Sequence, residues 1–302
     1  MMRRGLTQYA IFLALIVECA ILAFSNDAFF TQLNLTNVLR QNAFTAILAA
    51  GMSFVILTGG IDLSVGSVVA LSGVICADAL VHGWGLTAAV GAGITVGTIV
   101  GFVNGLTVTR LRVPPFVVTL AMMLVIRGAA YKYTDARTIS DLPAAFISLG
   151  SRNVTALVMA SVFGLAWLVL MRSPFGRHVF ATGGNQDAAW LAGVRVNRVL
   201  LAVYTICGAC AGLAGVLVAA RLNAGYPKAG EFYELDAIAA VVVGGTSLFG
   251  GRGSIWGTLA GAFFIGVLNN GLNLFGVSPY DQMMVKGAVL LVAASLDRWR
   301  TK

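Results

Sequence analysis

The stretch VILTGGIDLSVGSVVALSG, Val55 to Gly73, joins two apolar runs through a Gly-Gly pair and a lone carboxylate, Asp62. What such a break means depends on the solvent around it. The chain of 302 residues is 58% hydrophobic and 11% charged, with a mean hydropathy of +0.87, whereas soluble domains carry about 25% charged residues. Lipid is therefore the expected surrounding. Apolar runs recur with lengths of roughly 17 to 25 residues, which a hydrocarbon core of about 30 Å demands of a helix. Ten are read, at 8–25, 41–58, 64–81, 86–109, 115–132, 154–171, 199–220, 234–249, 254–275 and 281–297. Backbone groups in lipid must be satisfied internally, and the chain lacks the alternating segments of a barrel. The expected fold class is all-α: a polytopic membrane protein, 1–302, of about ten transmembrane helices, some short or broken.

Met1-Met2-Arg3-Arg4 before an apolar run has the shape of a secretory signal, but no small-residue cleavage site follows and further spans do, so an uncleaved first helix is expected. The net charge of +8 resolves into topology. With the N-terminus cytoplasmic, that side receives Arg3, Arg4, Arg110, Arg112, Arg172, Arg177, Arg195, Arg198, Arg252, Arg298, Arg300 and Lys302. The other side receives Arg40, Lys132, Arg137, Arg152, Arg221 and Lys228. This is the positive-inside pattern, and it places both termini in the cytoplasm. No basic helix is interleaved with aromatics, so nucleic acid is not an expected partner.

Catalytic chemistry finds no foothold. Cys207-x-x-Cys210 has a thiol-redox spacing, but it lies in an apolar helix without a βαβ pattern, so both thiols read as packing residues. His82 and His178 lack acidic or thiol neighbours, and no metal site is expected. No Gly-Lys pair occurs, hence no phosphate-cradling loop of the G-x-x-x-x-G-K-[ST] type. Glu234 and Asp236 stand at a helix entrance, where capping is the simpler role. No catalytic residue and no cofactor of its own are assigned to the chain.

An internal echo points to transport instead. GGIDLSVGSVVALSG at 59–73 resembles GGTSLFGGRGSIWGTLAG at 244–261, and GFVNGL at 101–106 resembles GVLNNGL at 266–272. Paired Gly-interrupted segments mark translocation sites, because broken helices present free backbone ends. Counting spans puts the echoes in parallel orientation. The run at 234–249 has only about ten clean apolar residues, which suggests a half-helix. Gly97, Gly101 and Gly105, and Gly208 with Gly212, repeat at helical spacing and read as close-packing faces.

The longest segment on the basic side is 172–198. In it a Pro174 and glycine break is followed by a short helix that Asn185 can cap, with Asp187 in its first turn. It reads either as a docking element or as a surface helix. The phrases VILTGGIDLSVGS, FGRHVFATGGNQDAAWLAGV, ELDAIAAVVVGGTSLFGGRGS and VLNNGLNLFGVSPYDQMMVKG resemble the permease subunits of bacterial ribose-type monosaccharide ABC importers, within the branched-chain amino acid and sugar permease superfamily. That resemblance implies a single transmembrane permease domain in the inner membrane. It implies a pair of permeases, a separate ATP-binding subunit and a periplasmic sugar-binding protein. It also implies that Gly183, Gly184, Asn185, Asp187, Ala188, Ala189 and Leu191 form the ATPase-coupling element of 172–198. Other cargo for the same machine, an amino acid or a nucleoside, and an autonomous carrier or channel are the rival readings.

Polar residues inside spans are costly and so mark function. Asp62, Ser64, Asn104, Asn269, Asn270 and Asn273 are the candidates for the pathway, against interhelical hydrogen bonding as the alternative. Arg127 and Lys286 are expected to snorkel or to pair with a carboxylate. Asp62, as a solvated or interface-level carboxylate, and Ser64 are expected to cap the helix beginning near Val65.

Overall fold

The computed structural model describes residues 2–301, with side chains for 10–295 and 297. Met1 and Lys302 lie outside the described residues, as do the side chains of Arg3, Arg4, Arg298 and Arg300 on which part of the topology reading rests. Among the described residues the secondary structure is helical, apart from one isolated bridge between Ile139 and Gly225.

Each of the ten expected runs falls on a helix. These are α1 (Met2–Ser25), α2 (Gln32–Leu57), α3 (Val65–Val81), α4 (Leu86–Arg110), α5 (Pro115–Thr134), α7 (Arg152–Arg172), α10 (Val196–Leu222), α11 (Tyr233–Val243), α12 (Ile255–Leu274) and α13 (Pro279–Thr301). Between them lie a short α6 (Ala144–Ile147) and the pair α8 (Pro174–Gly184) and α9 (Gln186–Leu191). Among the described residues six helices, α2, α4, α5, α7, α10 and α12, are long and apolar enough to cross a membrane.

Three boundaries differ from the sequence reading, each for a local reason. Helix α2 begins nine residues early, at Gln32, because the Thr31 side chain accepts a hydrogen bond from the Asn34 N–H and starts the helix inside a polar stretch. The run at 234–249 is no crossing: α11 stops after 11 residues. Its stop is Gly244-Gly245, with Gly245 at φ +89°, a conformation that glycine adopts without strain. Residues 174–184, read as a break, are helical, because Ser173 accepts from the Gly176 N–H at 3.1 Å and Pro174 occupies the first helical position, where proline starts helices.

Helix α10 runs through the centre, against α2, α3 and α4. The spaced glycines are what let it sit there. A Cβ on Gly97 would overlap the Gly208 carbonyl, one on Gly101 the Tyr204 carbonyl, and one on Gly208 the Gly97 carbonyl. The two glycine faces therefore interlock backbone to backbone, which in lipid replaces the missing hydrophobic drive between helices. Gly51 of α2 does the same for Cys207 and Cys210, whose thiols are free and fill space, as read.

Helices α11 and α12 fold against α2 at the opposite flank. Gly244 packs on Gly257, Gly261 on the Ala240 carbonyl, and the hydroxyls of Ser53 and Thr258 meet at 2.9 Å. Both stretches of the first echo are helix–loop–helix, α2–loop–α3 and α11–loop–α12, and their loops lie together. The second echo does not match in this way. GFVNGL sits on α4, a separate helix from its half's first element, whereas GVLNNGL sits further along α12 itself.

Replacing Gly101 by Val is expected to lower the melting temperature in detergent and to cost about 1–3 kcal/mol or more through overpacking. Gly91→Ala, where nothing stands within 4 Å, should leave it unchanged or slightly raised. Fluorescence-detected size exclusion after heating reads both.

Candidate functional site

The loops of the two echoes converge with the end of α8. The α2 helix ends at Leu57, whose carbonyl has no further turn to bond. Its partner comes from the other half: the Gly251 N–H donates to it at 2.9 Å. Gly59, Gly250 and Gly251 all have positive φ, at +79°, +83° and +71°. Gly183 closes the third side, since any side chain there would overlap the Leu57 carbonyl and press on the Gly251 nitrogen. Asp297 of α13 reaches the same loop and accepts from the Ser247 hydroxyl at 3.1 Å and the Leu248 N–H at 3.0 Å.

Asp62 is not the solvated cap expected of it. It is 1% exposed and its Oδ1 accepts from the Ser64 N–H at 2.9 Å and the Ser64 hydroxyl at 2.6 Å. Ser64 makes no side-chain cap bond to α3. Asn104 of α4 donates its amide to the Ser64 hydroxyl at 2.9 Å and to Asp62 Oδ2 at 3.5 Å. The reason is depth: residues 60–64 do not stop at a membrane surface but rise among α4, α5 and α10. Thr119 of α5 bonds the Ile61 carbonyl at 3.2 Å, and a Cβ on Gly60 would overlap the Tyr204 hydroxyl. Among the described residues the Tyr204 hydroxyl and Asn104 Oδ1 have no hydrogen-bond partner. Asp62, Ser64 and Asn104 therefore tie the break to α4.

The asparagines of α12 separate into three fates. Asn270 forms a reciprocal amide pair with Asn34, at 3.0 and 2.7 Å, and Asn34 also donates to the Phe29 carbonyl at 2.8 Å. This buried pair clamps the start of α2 to the end of α12. Asn273 is exposed and accepts from Gln282 at 2.9 Å. Asn269 is half-buried, with its Oδ1 unbonded among the described residues.

Four charged residues, Arg127, Glu234, Asp236 and Lys286, lie in and around the first turn of α11. Lys286 of α13 grips both Asp236 oxygens, at 2.9 and 3.0 Å, so it pairs with a carboxylate. Asp236 and Glu234 are not side-chain caps: the residue before α11 is Phe232, with no cap bond. Arg127 of α5 does not pair as Lys286 does. Its Nη1 donates to the carbonyls of Pro227 and Ala229, at 2.9 and 2.8 Å, and no carboxylate is within ion-pair distance among the described residues. These are carbonyls of loop 223–232, which is further fixed by Ile139 and Gly225 exchanging backbone bonds at 3.0 and 2.8 Å. At the loop surface Glu231 stands 3.4 Å from Lys228 and holds its ammonium above the ordinary value.

The 172–198 segment projects beyond the convergent loops. Asn185 Oδ1 accepts from the Ala188 N–H at 2.9 Å and starts α9, and Asp187 lies in the first turn. Gly184, Asn185, Asp187, Ala188 and Leu191 are exposed. Ala189 is buried at 5% and Gly183, half-buried, is wedged at the loops, so these two seat the element. Trp190, overlooked in the sequence, is 67% exposed beside Leu191. The signal for it was the adjacent large apolar pair Trp190-Leu191 in an otherwise small and polar stretch; in a helix of about 3.6 residues per turn both lie off the side on which Ala189 is buried.

A helical membrane domain with two broken-helix loops and a projecting helix pair has the form of a transport subunit, and comparison with known proteins gives the class. Residues 34–294 match the family described as branched-chain amino acid transport system / permease component, and the chain belongs to it. It is 46% identical over 294 residues to the ribose import permease protein RbsC of Bacillus subtilis, covering 95% of this chain and 91% of that one. It is 45% identical over 295 residues to the ribose import permease protein RbsC of Escherichia coli K12, covering 94% and 92%. The D-allose transport system permease protein AlsC of the same strain is 36% identical over 302 residues, covering 98% and 93%. No solved structure matches.

Asn270→Leu leaves the buried Asn34 amide without its partner and should cost about 1–3 kcal/mol. Asn34→Leu together with Asn270→Leu should cost less than the sum of the two single changes, measured as a double-mutant cycle on thermal stability in detergent.

Proposed function

We propose that this chain is the transmembrane permease subunit of an ATP-driven ABC importer that moves a monosaccharide of the ribose type across the bacterial inner membrane. Family membership supports the permease role, and the names of the most similar relatives support a sugar over an amino acid or nucleoside. The observation that carries the coupling is α8–α9. It is rooted at the junction of both broken-helix loops by Gly183, and it offers Trp190 and Leu191 to solvent at the end that the positive-inside pattern makes cytoplasmic. An exposed apolar pair of this kind marks a docking surface.

In this reading a separate ATP-binding subunit receives α9, and ATP is bound there and not in this chain. Gly184, Asn185, Asp187, Ala188 and Leu191 make the contact with Trp190; Gly183 and Ala189 transmit it. A second copy of the permease, or a close homologue, completes the pathway between two packed arrangements, and a periplasmic binding protein delivers the sugar. Closure of the ATPase pair moves α8, and α8 cannot move without the loops at 57–60 and 247–252. Both termini lie in the cytoplasm, and membrane lipid covers the outward faces. An autonomous carrier has no use for such an element.

Purified permease in liposomes is expected to take up no sugar until ATPase and loaded binding protein are added; uptake driven by an ion gradient alone overturns the reading. Trp190→Ala should weaken ATPase docking by about 2 kcal/mol, roughly thirtyfold in affinity. Ala188→Asp should abolish sugar-stimulated ATP hydrolysis while the protein elutes as a folded species. Normal transport in both variants would remove the docking role.

A further inference from the structure

Asn34, Asn104 and Asn270 make joints between helices, and a different kind of polar group stands out within the spans. Arg127 is the outstanding one. It lies seven residues from the end of α5 at Thr134, about 10 Å deep at 1.5 Å per residue. Lys286 lies equally far into α13 from Pro279, but it is neutralised by Asp236, whereas Arg127 has no ion pair among the described residues. A half-buried guanidinium at that depth does not face hydrocarbon; it faces protein or water.

The pattern of α5 says which. Leu124 and Val125 are exposed and apolar. Arg127, Tyr131 and Thr134 recur at i, i+4 and i+7, which draws one polar stripe from mid-depth to the outer mouth. Tyr131, Glu231 and Glu234 are near enough to act on the Arg127 charge. The Glu234 carboxylate packs on the first turn of α3, where Gly66 has no Cβ: one there would overlap it. Arg127 Nη1 is committed to the loop, while Nε and Nη2 have no partner among the described residues.

We propose that this side of α5, Arg127 and Tyr131 faced by Glu234 beneath loop 223–232, is the water-lined stretch where the sugar is held in transit. The proposal rests on the sugar-permease reading. The free guanidinium donors suit ring and hydroxyl oxygens, the carboxylate accepts hydroxyl protons, and the tyrosine ring covers the C–H face of a pyranose or furanose. The Pro227 and Ala229 carbonyls that Arg127 now holds are the groups that a sugar would replace.

Two measurements on the full chain, reconstituted with its ATPase and binding protein, test this. With radiolabelled D-ribose, Arg127→Gln should lower uptake at least about tenfold, the loss expected for hydrogen bonds to a charged group, with Arg127→Lys intermediate and binding-protein-stimulated ATP hydrolysis retained in both. In a background with Cys19, Cys76, Cys207 and Cys210 replaced by Ala, Arg127→Cys should react with a membrane-impermeant thiol reagent much faster than Leu124→Cys, and D-ribose-loaded binding protein should slow that reaction. Unchanged uptake in Arg127→Gln, or labelling no faster than at position 124, overturns the inference. If the unaltered chain moves no sugar, the sugar-permease reading falls and takes the sugar site with it, while the labelling rates still report whether this side of α5 faces water.

Discussion

The carbonyl of Leu57 sets the problem that much of the structure solves. A helix that stops inside a membrane leaves acceptors with no water to satisfy them. Here the partner is an N–H from the other half of the chain, Gly251, reached only because Gly250 and Gly251 have left-handed backbone and Gly183 has no side chain. One backbone bond thus joins the two halves at the point where α8 leaves the membrane domain.

The polar groups sort themselves by the same economy of backbone. Neutral amides and hydroxyls make the joints: Asn34 with Asn270, Asn104 with Ser64, Ser53 with Thr258. Such pairs satisfy each other without a net charge to bury, and so tolerate lipid at little cost. Four charged groups sit where a helix is missing. Asp236, Lys286, Glu234 and Arg127 surround the place where α11 begins late and a loop takes over.

Helix positions were legible because a bilayer imposes a length on every apolar run, and each of the ten runs met a helix. Ends were less so. The start of α2 lies in QLNLTNVLRQ, which hydropathy passes over and the Thr31 cap decides. Pro174 carries the same letters whether it breaks or begins a helix, and only the Ser173 hydroxyl before it tells which. The Asp62 environment was the largest misreading: a carboxylate after Gly-Gly looks like a surface cap, and the rise of 60–64 into the bundle is set by Tyr204 and Asn104, which are distant in sequence. Asn270 was picked as polar and apolar-flanked, which is correct for a residue in a membrane joint and uninformative about cargo. Arg127 had the right residue type, but no spacing in the chain shows that carbonyls of Pro227 and Ala229 will arrive beside it.

Helix α11, with 11 residues, covers only about 17 Å of a hydrocarbon layer of about 30 Å. Loop 223–232 takes over where the helix is missing, and the Arg127 guanidinium clasps two of its carbonyls. Two side-chain hydrogen bonds can be exchanged without unwinding a turn of helix, so this part of the chain is able to shift while the long helices around it keep their backbone bonds.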